Sequence, residues 1–416
     1  MEVTGGRTEV PLISITSMAP SPTDLTRLLR RTESVVPRHD LESRIGRPLR
    51  VKLGLDPTAP AVTLGWAVVL RKLRDFQEQG HTAVLIVGDF TAQVGDPSQK
   101  SDTRRRLSAE EVRGYAQAVL TQFKKVLLPE PLEIRYNSEW LAKLNMNEIL
   151  DLTSTATVAQ MLERGDFAKR YESNNPISVM EFMYPFLQGY DSVAVQADVE
   201  LGGSDQLWNL MMGRVIQERY GQKPQVAMTT PLLLGTDGVA KMSQSLGNYI
   251  GVDEPPAEMY GKVMSIPDSL MEHWFRLATE LTPTEIDDLV KGSQDGSVHP
   301  RDAKRLLARS ITELYWDADA AREAEAGFDR VFVRHLAPEQ VDELGLPPGD
   351  PIHLSTVLRD AGLVGSSSEA RRLLKQGAIS IDGTRVQDES VARNVLVDAV
   401  VQIGKRRFVR FVDSLT

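Results

Sequence analysis

The amino-acid sequence predicts an α/β protein built on a parallel sheet, followed by a helical region and a small α+β domain. First, 416 residues exceed what a single hydrophobic core usually holds. Second, strand-like residues 49–55 and almost wholly apolar residues 82–87 flank a helical pattern at residues 64–79. Such a strand–helix–strand unit is typical of parallel sheets. Third, residues 344–351 (LGLPPGDP) have the composition of a linker and separate off a short C-terminal segment.

The other elements follow from hydrophobic periodicity and helix start signals. Ser21-Pro22-Thr23-Asp24 precedes leucines at helical spacing and predicts a first helix. The central part of the chain predicts helices at 108–127 and 146–157, an α/β stretch at 178–252 with a strand at 193–199, and helices alone at 265–335. The C-terminal segment predicts helices at 354–361 and 367–376, with short strands near 378–381 and 400–412. We therefore predict domains at 1–260, 261–343 and 352–416, with a linker at 344–351.

The composition excludes several classes of protein. Hydrophobic (41%) and charged (25%) contents are ordinary for a globular protein, and the lack of cysteine excludes disulfides and cysteine-ligated metals. No apolar run reaches the roughly 18 residues that span a bilayer, and residues 1–10 lack a secretory signal, so we expect a cytoplasmic protein without a membrane partner. The net charge is −9, yet residues 352–416 hold ten Lys/Arg against seven Asp/Glu, which fits a nucleic-acid-binding tail.

Candidate ligand-binding residues follow the first two predicted strands. Asp56-Pro57-Thr58 and Thr63-Leu64-Gly65-Trp66 lie between the first strand and its helix, and Gly95-Asp96-Pro97-Ser98 follows the second strand. Ligands of parallel sheets bind at the carboxyl ends of the strands, which is where these loops lie. Taken alone, Asp-Pro-Thr is also typical of a turn that caps a helix.

A second candidate group occurs at helical spacing. Tyr184, Gln188 and Asp191 are separated by four and three residues, which places them on one face of a helix. The same spacing is found in any amphipathic helix with one polar edge, so the pattern alone leaves both interpretations open.

Two further motifs could contact a ligand. Leu201-Gly202-Gly203-Ser204-Asp205-Gln206 contains two adjacent glycines, which let the backbone approach a ligand closely. Lys241-Met242-Ser243-Gln244-Ser245 follows the flexible turn Gly235-Thr236-Asp237-Gly238 and supplies a cation. In the C-terminal segment, a predicted helix aligns cations that could contact phosphates or form a solvated face, namely Arg371, Arg372 and Lys375.

These motifs, in this order, resemble those of bacterial tyrosyl-tRNA synthetases over residues 25–412. The resemblance implies a class I Rossmann-like catalytic domain (1–260), a helical anticodon-arm domain (261–343) and an RNA-binding domain like the fourth ribosomal small-subunit protein (352–416). It also implies a homodimer whose partners are tyrosine or a tyrosine-like amino acid and tRNA. No cofactor or metal is expected to be permanently bound, and Mg-ATP would be a cosubstrate if the chain is a ligase.

The resemblance assigns a role to each candidate residue. It implies catalytic roles for Thr58, Thr63 and Lys241. It implies amino-acid binding by Asp96, Tyr184, Gln188, Asp191 and Gln206. It implies nucleotide binding by Gly54, Asp56, Gly65, Trp66, Gly203, Asp205, Met242 and Ser243. It implies RNA binding by Arg371, Arg372 and Lys375.

Six positions depart from the family pattern, among them Ala92, Gln93 and Gln99 around the Gly-Asp-Pro-Ser turn. Thr63 and Trp66 replace the two histidines of the HIGH motif, and Gln244 replaces the second lysine of KMSKS. Losing one transition-state donor costs about 3–4 kcal/mol, although such losses are rarely additive. We therefore expect a repurposed paralog that binds tyrosine and tRNA, with weak or lost adenylation. The alternatives are an ordinary ATP-dependent tyrosine–tRNA ligase, and an RNA- or amino-acid-binding regulator without catalysis.

Overall fold

The structure is a computed structural model, and it describes residues 22–97, 107–334, 338, 341–404 and 407–413. The predicted helix-start residue Ser21 and Ser98 of the second loop lie outside these residues. The chain divides into two compact units. The first comprises the described residues up to Glu254 together with Ile266–Ala303, and the second comprises Pro255–Ser265 and the described residues from Lys304 onward.

A six-stranded sheet forms the centre of the first unit. Its strands are β1 (Ser34–Val36), β2 (Arg50–Leu55), β3 (Thr82–Val87), β4 (Leu132–Tyr136), β5 (Val199–Gly203) and β6 (Val226–Thr230). They lie in the order β1-β6-β5-β2-β3-β4, and only the edge strand β1 is antiparallel. The chain runs from β2 outward to β4 and then returns to the other side of β2. The carboxyl ends of β2 and β5 therefore form the switch point where ligands bind in such sheets.

Helices cover this sheet and make up most of the region that follows it. In chain order they are α1 (Pro22–Leu29), α2 (Arg38–Arg44), α3 (Leu64–Gln77), α4 (Ala109–Phe123), α5 (Ser138–Leu141), α6 (Met146–Thr153), α7 (Val158–Met161), α8 (Gly165–Glu172), α9 (Val179–Ala194), α10 (Leu207–Arg219), α11 (Pro256–Met264), α12 (Met271–Ala278), α13 (Pro283–Asp295), α14 (Pro300–Tyr315), α15 (Ala318–Phe328), α16 (Leu354–Asp360), α17 (Ser367–Lys375) and α18 (Arg393–Leu396). No described helix is long and apolar enough to cross a membrane.

The βαβ unit predicted from the sequence is confirmed. β3 has the predicted bounds, β2 starts one residue later than predicted, and α3 ends two residues earlier. The apolar residues of β3 are almost completely buried, as expected for a strand with helices on both faces. The helical stretch at 265–335 also shows no strand among the residues that the structure describes.

Two predicted elements of the first unit are wrong. Residues 193–199 do not form a strand, because α9 continues to Ala194 and Gln196 then takes a left-handed conformation (φ 51°) before β5 begins. The helix predicted at 146–157 ends at Thr153, and a new one begins because Thr157 and Gln160 form a capping box. A left-handed residue in the first case, and a capping box in the second, therefore overrides the structure that the apolar pattern predicts.

The C-terminal part of the second unit is a small α+β module. Its strands are β7 (Asp342–Leu346), β8 (Ile352–His353), β9 (Ile379–Ile381), β10 (Thr384–Arg385), β11 (Ser390–Val391), β12 (Val400–Ile403) and β13 (Arg407–Asp413). One sheet has the order β10-β9-β12-β13-β7, and β11 pairs with β8. Residues 344–346, predicted as linker, belong to β7, which pairs in parallel with β13 and buries Leu346 completely. The alternating leucines Leu344 and Leu346 favour a strand here, even though the residues that follow are rich in proline and glycine.

Candidate active site

The loop that follows β2 brings Asp56 into a hydrogen-bonded cluster. The Oγ1 of Thr91 donates to one carboxylate oxygen of Asp56 at 2.7 Å, and the phenol of Tyr184 donates to the other at 3.0 Å. Loss of solvent around the carboxylate raises the pKa of Asp56 to about 7, although both hydrogen bonds act to lower it. Gly88 is required here, since a Cβ at this position would lie 2.0 Å from the Asp56 carboxylate.

Asp191 lies at the other end of this cluster, on α9. It is 3% exposed and accepts hydrogen bonds from Trp140 Nε1 at 2.8 Å and from Asn137 Nδ2 at 3.3 Å. Burial raises the pKa of Asp191 to about 7. A carboxylate has about four lone-pair sites, so two donors leave it able to accept a further hydrogen bond.

Two neutral side chains connect these carboxylates. Asn137 Nδ2 also donates to Thr91 Oγ1 at 2.9 Å, and the Thr91 hydroxyl in turn donates a hydrogen bond to Asp56. Asn137 directly follows β4, whose carboxyl end lies at the same edge of the sheet as those of β2 and β3. The result is a continuous hydrogen-bonded path from Asp191 to Asp56.

A second cluster surrounds Asp96. The Asp96 side chain is 7% exposed, accepts from Gln206 Nε2 at 2.8 Å and lies 3.5 Å from the guanidinium of Arg164. Asn209 then joins Gln206 to Gln188, because its Nδ2 donates to the Oε1 of both, at 2.9 and 3.2 Å. The site therefore has two separated acidic ends, Asp191 at one and Asp96 at the other.

A buried ion pair joins β2 to β5 next to Gln188. Lys52 on β2 and Glu200 on β5 have adjacent positions in the register, and Lys52 Nζ lies 2.8 Å from Glu200 Oε1. Lys52 also donates to Ser192 Oγ at 2.8 Å and to the carbonyl of Gln188 at 2.9 Å. Removing one partner of such a pair costs about 3–5 kcal/mol, because it leaves the other charge buried and uncompensated.

The nucleotide-binding half predicted from the sequence lies at the start of α3. Thr63 is buried and caps this helix, with its Oγ1 accepting from the backbone N–H of Trp66 at 3.3 Å. The N–H of Leu64 donates to the carbonyl of Ile250 at 2.8 Å, and the N–H of Ala67 donates to the carbonyl of Thr63. The N–H of Gly65 points at Met242 Sδ at 3.3 Å. The donors that helix starts commonly offer to phosphates are thus already partnered.

The 241–245 segment packs directly on this helix start. A Cβ at Gly65 would lie 3.3 Å from the Cβ of Met242, so only glycine allows the present fit without displacement. The amide of Gln244 donates to the carbonyl of Ala61. Ser243 N–H donates to Asn248 Oδ1 at 2.9 Å, which closes the turn. Gln244 thus makes a backbone contact where the family pattern has a second lysine.

The structure also places the other predicted residues. Gly203 ends β5, and a Cβ there would lie 2.8 Å from the Asp205 carboxylate, whereas a Cβ at Gly54 would meet no atom within 4 Å. Thr58 is half-buried, and its N–H donates to the carbonyl of Asp56. Trp66 is partly buried in the first turn of α3.

The cations predicted to bind RNA lie exposed on α17. Arg372 and Lys375 share one edge of this helix, which Ser366 caps by accepting from the N–H of Glu369. Arg371 differs from its neighbours, because its Nε lies 2.9 Å from the carboxylate of Glu389.

Sequence reasoning did not identify several residues that organise the site: Thr91, Asn137, Trp140, Arg164 and Asn209. Two of them carried a usable signal. Asn137 directly follows a strand of the parallel sheet, and Asn209 lies three residues after Gln206 at the start of a helix. Arg164 gave no such signal, because it reaches Asp96 across 68 residues of sequence. Among the described residues, no group of three or more His, Asp or Glu side chains could hold a metal ion.

Comparison with known proteins assigns this arrangement to a class. Residues 44–333 match the family of class I tRNA synthetases (W and Y), and residues 354–392 match the S4 domain. The chain belongs to the class I tRNA synthetase family, and the predicted fold class is confirmed.

Within that family, the chain is similar to proteins named tyrosine–tRNA ligase. It is 51% identical to that of Moorella thermoacetica, over 92% of this chain and 94% of the relative. It is 44% identical to that of Thermotoga maritima, over 94% of this chain and 98% of the relative.

Solved structures show the same fold at lower identity. The mitochondrial tyrosyl-tRNA synthetase of Aspergillus nidulans has a TM-score of 0.61 at 23% identity, covering 74% of this chain and 93% of its own. The tyrosyl-tRNA synthetase of Archaeoglobus fulgidus, solved with L-tyrosine, has a TM-score of 0.59 at 24% identity. The match covers 73% of this chain and 98% of that one.

Proposed function

We propose that the chain is an ATP-dependent tyrosine–tRNA ligase. The observation that carries this proposal is the pair of acidic ends, Asp191 and Asp96, each held by hydrogen bonds from its own neighbouring side chains. Relatives named tyrosine–tRNA ligase, 44–51% identical over more than nine-tenths of the chain, favour this ordinary ligase over the repurposed paralog that the sequence led us to expect.

Tyrosine fits the two ends by charge and by hydrogen bonding. Its ammonium would lie between Asp96, Gln188, Gln206 and Tyr184, since a carboxylate and amide carbonyls are acceptors that suit an ammonium. Its phenol would donate to Asp191, which has acceptor capacity left. Phenylalanine would leave this buried carboxylate without that partner, a discrimination for which tyrosyl-tRNA synthetases are the standard example.

In the first half-reaction, a tyrosine carboxylate oxygen attacks the α-phosphorus of ATP, and the bond from that phosphorus to the pyrophosphate oxygen breaks. Asp205 and Gly203 would hold the ribose, and Lys241 and Thr58 would stabilise the charge that develops on the phosphates. Magnesium would enter with ATP, bound mainly by its phosphates. In the second half-reaction, a terminal hydroxyl of tRNA attacks the activated carbonyl and releases AMP.

The contacts of Thr63 and Gln244 support a second candidate, a tyrosine-binding protein in which adenylation is slow. Thr63 uses its oxygen to cap α3, and Gln244 uses its amide on the carbonyl of Ala61, so neither reproduces a positioned cation. In that case Trp66 would be the residue that most hinders the nucleotide, because its indole would fill space that the adenine or the ribose needs.

One experiment separates these candidates. Tyrosine binding is measured by titration calorimetry, and tyrosine-dependent exchange of pyrophosphate into ATP is measured on the same protein. The ligase requires both, and charging of tRNA must follow. Binding without exchange supports the second candidate, and absence of tyrosine binding contradicts both. The double variant Thr63→His, Trp66→His then shows whether the two histidines alone account for a slow exchange.

The remaining parts of the proposal concern the whole assembly. We place the catalytic domain at 1–260, the helical anticodon-arm domain between residue 261 and the start of β7, and the RNA-binding domain from Asp342 onward, of which 354–392 match the S4 domain. The chain would act as a cytoplasmic homodimer, with tRNA phosphates bound by Arg372, Lys375 and, less strongly, Arg371.

A further inference from the structure

Asn209 connects two glutamines and an arginine of the site, although no motif marks it. It lies in the first turn of α10 and is 1% exposed. Its Nδ2 donates to the Oε1 of Gln206 at 2.9 Å and to the Oε1 of Gln188 at 3.2 Å. Its Oδ1 accepts from Arg164 Nη1 at 2.9 Å.

These contacts determine which way each glutamine amide faces. An amide has one accepting oxygen and one donating nitrogen, so an oxygen turned toward Asn209 turns the nitrogen elsewhere. Gln206 Nε2 accordingly donates to Asp96 Oδ2 at 2.8 Å, and Gln188 Nε2 donates to Glu200 Oε1 at 3.1 Å. Both glutamines therefore direct their nitrogens toward carboxylates and their oxygens toward the same asparagine.

Arg164 determines the orientation of Asn209 itself. A guanidinium can only donate, so the Asn209 atom that faces it must be the oxygen. Arg164 is held in place, because its Nε lies 2.7 Å from Asp166 Oδ1 and its guanidinium stacks 5.0 Å from the ring of Phe167. Its side chain is 5% exposed. Arg164 thus donates to Asn209, and Asn209 in turn donates to both glutamines.

We propose that Asn209 is a positioning residue that makes the pocket selective for an α-amino group. An ammonium only donates, so it needs glutamine oxygens, and an amide turned the other way would present N–H groups to it instead. Each glutamine oxygen has two lone pairs and can accept from Asn209 and from an ammonium together. This inference rests on the proposed binding of tyrosine.

The test compares tyrosine with 3-(4-hydroxyphenyl)propionate, which has the phenol and the carboxylate of tyrosine but no amino group. Affinities for both are measured by calorimetry in the wild type and in Asn209→Leu, a substitution of similar volume that removes both donors. We expect the affinity for tyrosine to fall about tenfold or more, as for loss of a hydrogen-bonded charge contact, while the affinity for the propionate stays within about threefold.

Asn137→Leu is the matched control. Asn137 is also a fully buried asparagine in this site, but it contacts Asp191 at the phenol end, which both ligands share. It should weaken both ligands by a similar factor and leave their ratio unchanged. Asn209→Ser keeps one hydroxyl donor, so the ratio of its affinities for tyrosine and the propionate should lie between those of the wild type and the leucine variant. If the leucine variant does not fold, the serine variant is the test.

Two results would overturn the inference. Equal weakening of both ligands in the Asn209 variants would show a structural role only, and unchanged tyrosine affinity would show that the glutamine orientation does not depend on Asn209. Failure of the wild type to bind tyrosine would instead contradict the proposed function itself. Calorimetry of the wild type therefore separates failure of the proposed function from failure of this inference before any variant is made.

Discussion

Lys241 Nζ lies 2.6 Å from Asp205 Oδ2, so the residue proposed for the phosphates is paired with the residue proposed for the ribose. Both side chains are partly exposed, at 39% and 25%. Pairs of this kind contribute only about 0–1 kcal/mol, so a nucleotide can displace the contact at little cost. ATP would then separate the pair and engage both partners at once.

Replacing Lys241 tests whether it acts in the transition state. Lys241→Gln should lower the rate of pyrophosphate exchange about a hundred- to thousandfold, because a positioned donor to the developing charge is lost. The KM for tyrosine should change little. The control is Lys223→Gln, an exposed lysine in the loop between α10 and β6. A fall of less than threefold would remove Lys241 from the proposed mechanism.

Gln244 offers a gain-of-function experiment. Gln244→Lys adds the missing cation, and single-turnover adenylation should become at least about tenfold faster. Gln244→Met has similar length but cannot donate to the carbonyl of Ala61, so it should loosen the 241–245 segment without any gain in rate. Proteolysis of this segment reports the loosening. If both variants have the rate of the wild type, residue 244 does not contribute to the chemistry.

Asp191 predicts a pH dependence of tyrosine affinity. Because its pKa is raised to about 7, the carboxylate is mostly ionised at pH 8 and mostly protonated at pH 6. Only the ionised form accepts freely from the phenol, so the affinity for tyrosine should fall between pH 8 and pH 6. Asp191→Asn should weaken binding at pH 8 and flatten the profile. An equally steep profile in that variant would assign the titration to another group, with Asp56 the first candidate.

The raised pKa of Asp56 also affects stability. The unfolded pKa is 3.8 and the folded one is about 7, so this group favours the folded state below pH 3.8 and loses that contribution as the pH rises to about 7. Above pH 7, ionisation of the buried carboxylate opposes folding by an amount on the order of 2–4 kcal/mol. Asp56→Asn should therefore raise the free energy of unfolding at pH 8 and have little effect at pH 4. Urea denaturation at both values measures this, and a variant equally stabilised at both would contradict it.

The three cations of α17 should contribute unequally to tRNA binding. Arg372→Gln and Lys375→Gln should each reduce the slope of log affinity against log salt by about 0.7–0.9, as expected for one lost phosphate contact. Arg371→Gln should have a smaller effect, because the guanidinium is already paired with Glu389. Filter binding of tRNA between low and moderate salt measures the slopes. Identical slopes for all three variants and the wild type would exclude this helix edge from the interface.

The parts of the fold that the sequence predicted well depend on local patterns. The run at 82–87 is almost wholly apolar and lies between His81 and Gly88, so its limits could be read directly. The strand predicted at 193–199 failed because an apolar run does not distinguish a helix end from a strand. The left-handed Gln196 that ends the helix has no reliable sequence signal.

The residues of the site also divide into those that local patterns predict and those that they do not. Strand ends alone placed Asp56 and Asp96 at one edge of the sheet, whereas Asp191 was assigned to the site through the family resemblance. The side chains that connect them could not, because their partners lie far apart in sequence: Arg164 reaches Asp96 over 68 residues, and Asn137 reaches Asp191 over 54. Which polar groups meet across elements is a property of packing rather than of any local pattern.

The pairing of β7 with β13 has a practical consequence for dissecting this chain. A truncation that starts at Ile352, where composition places the domain boundary, would remove Asp342–Leu346 and uncover one edge of the last strand over Val409–Asp413. Unpaired strand edges recruit other strands, so such a fragment should self-associate. A fragment that begins before Asp342 keeps this edge covered and is the one to express.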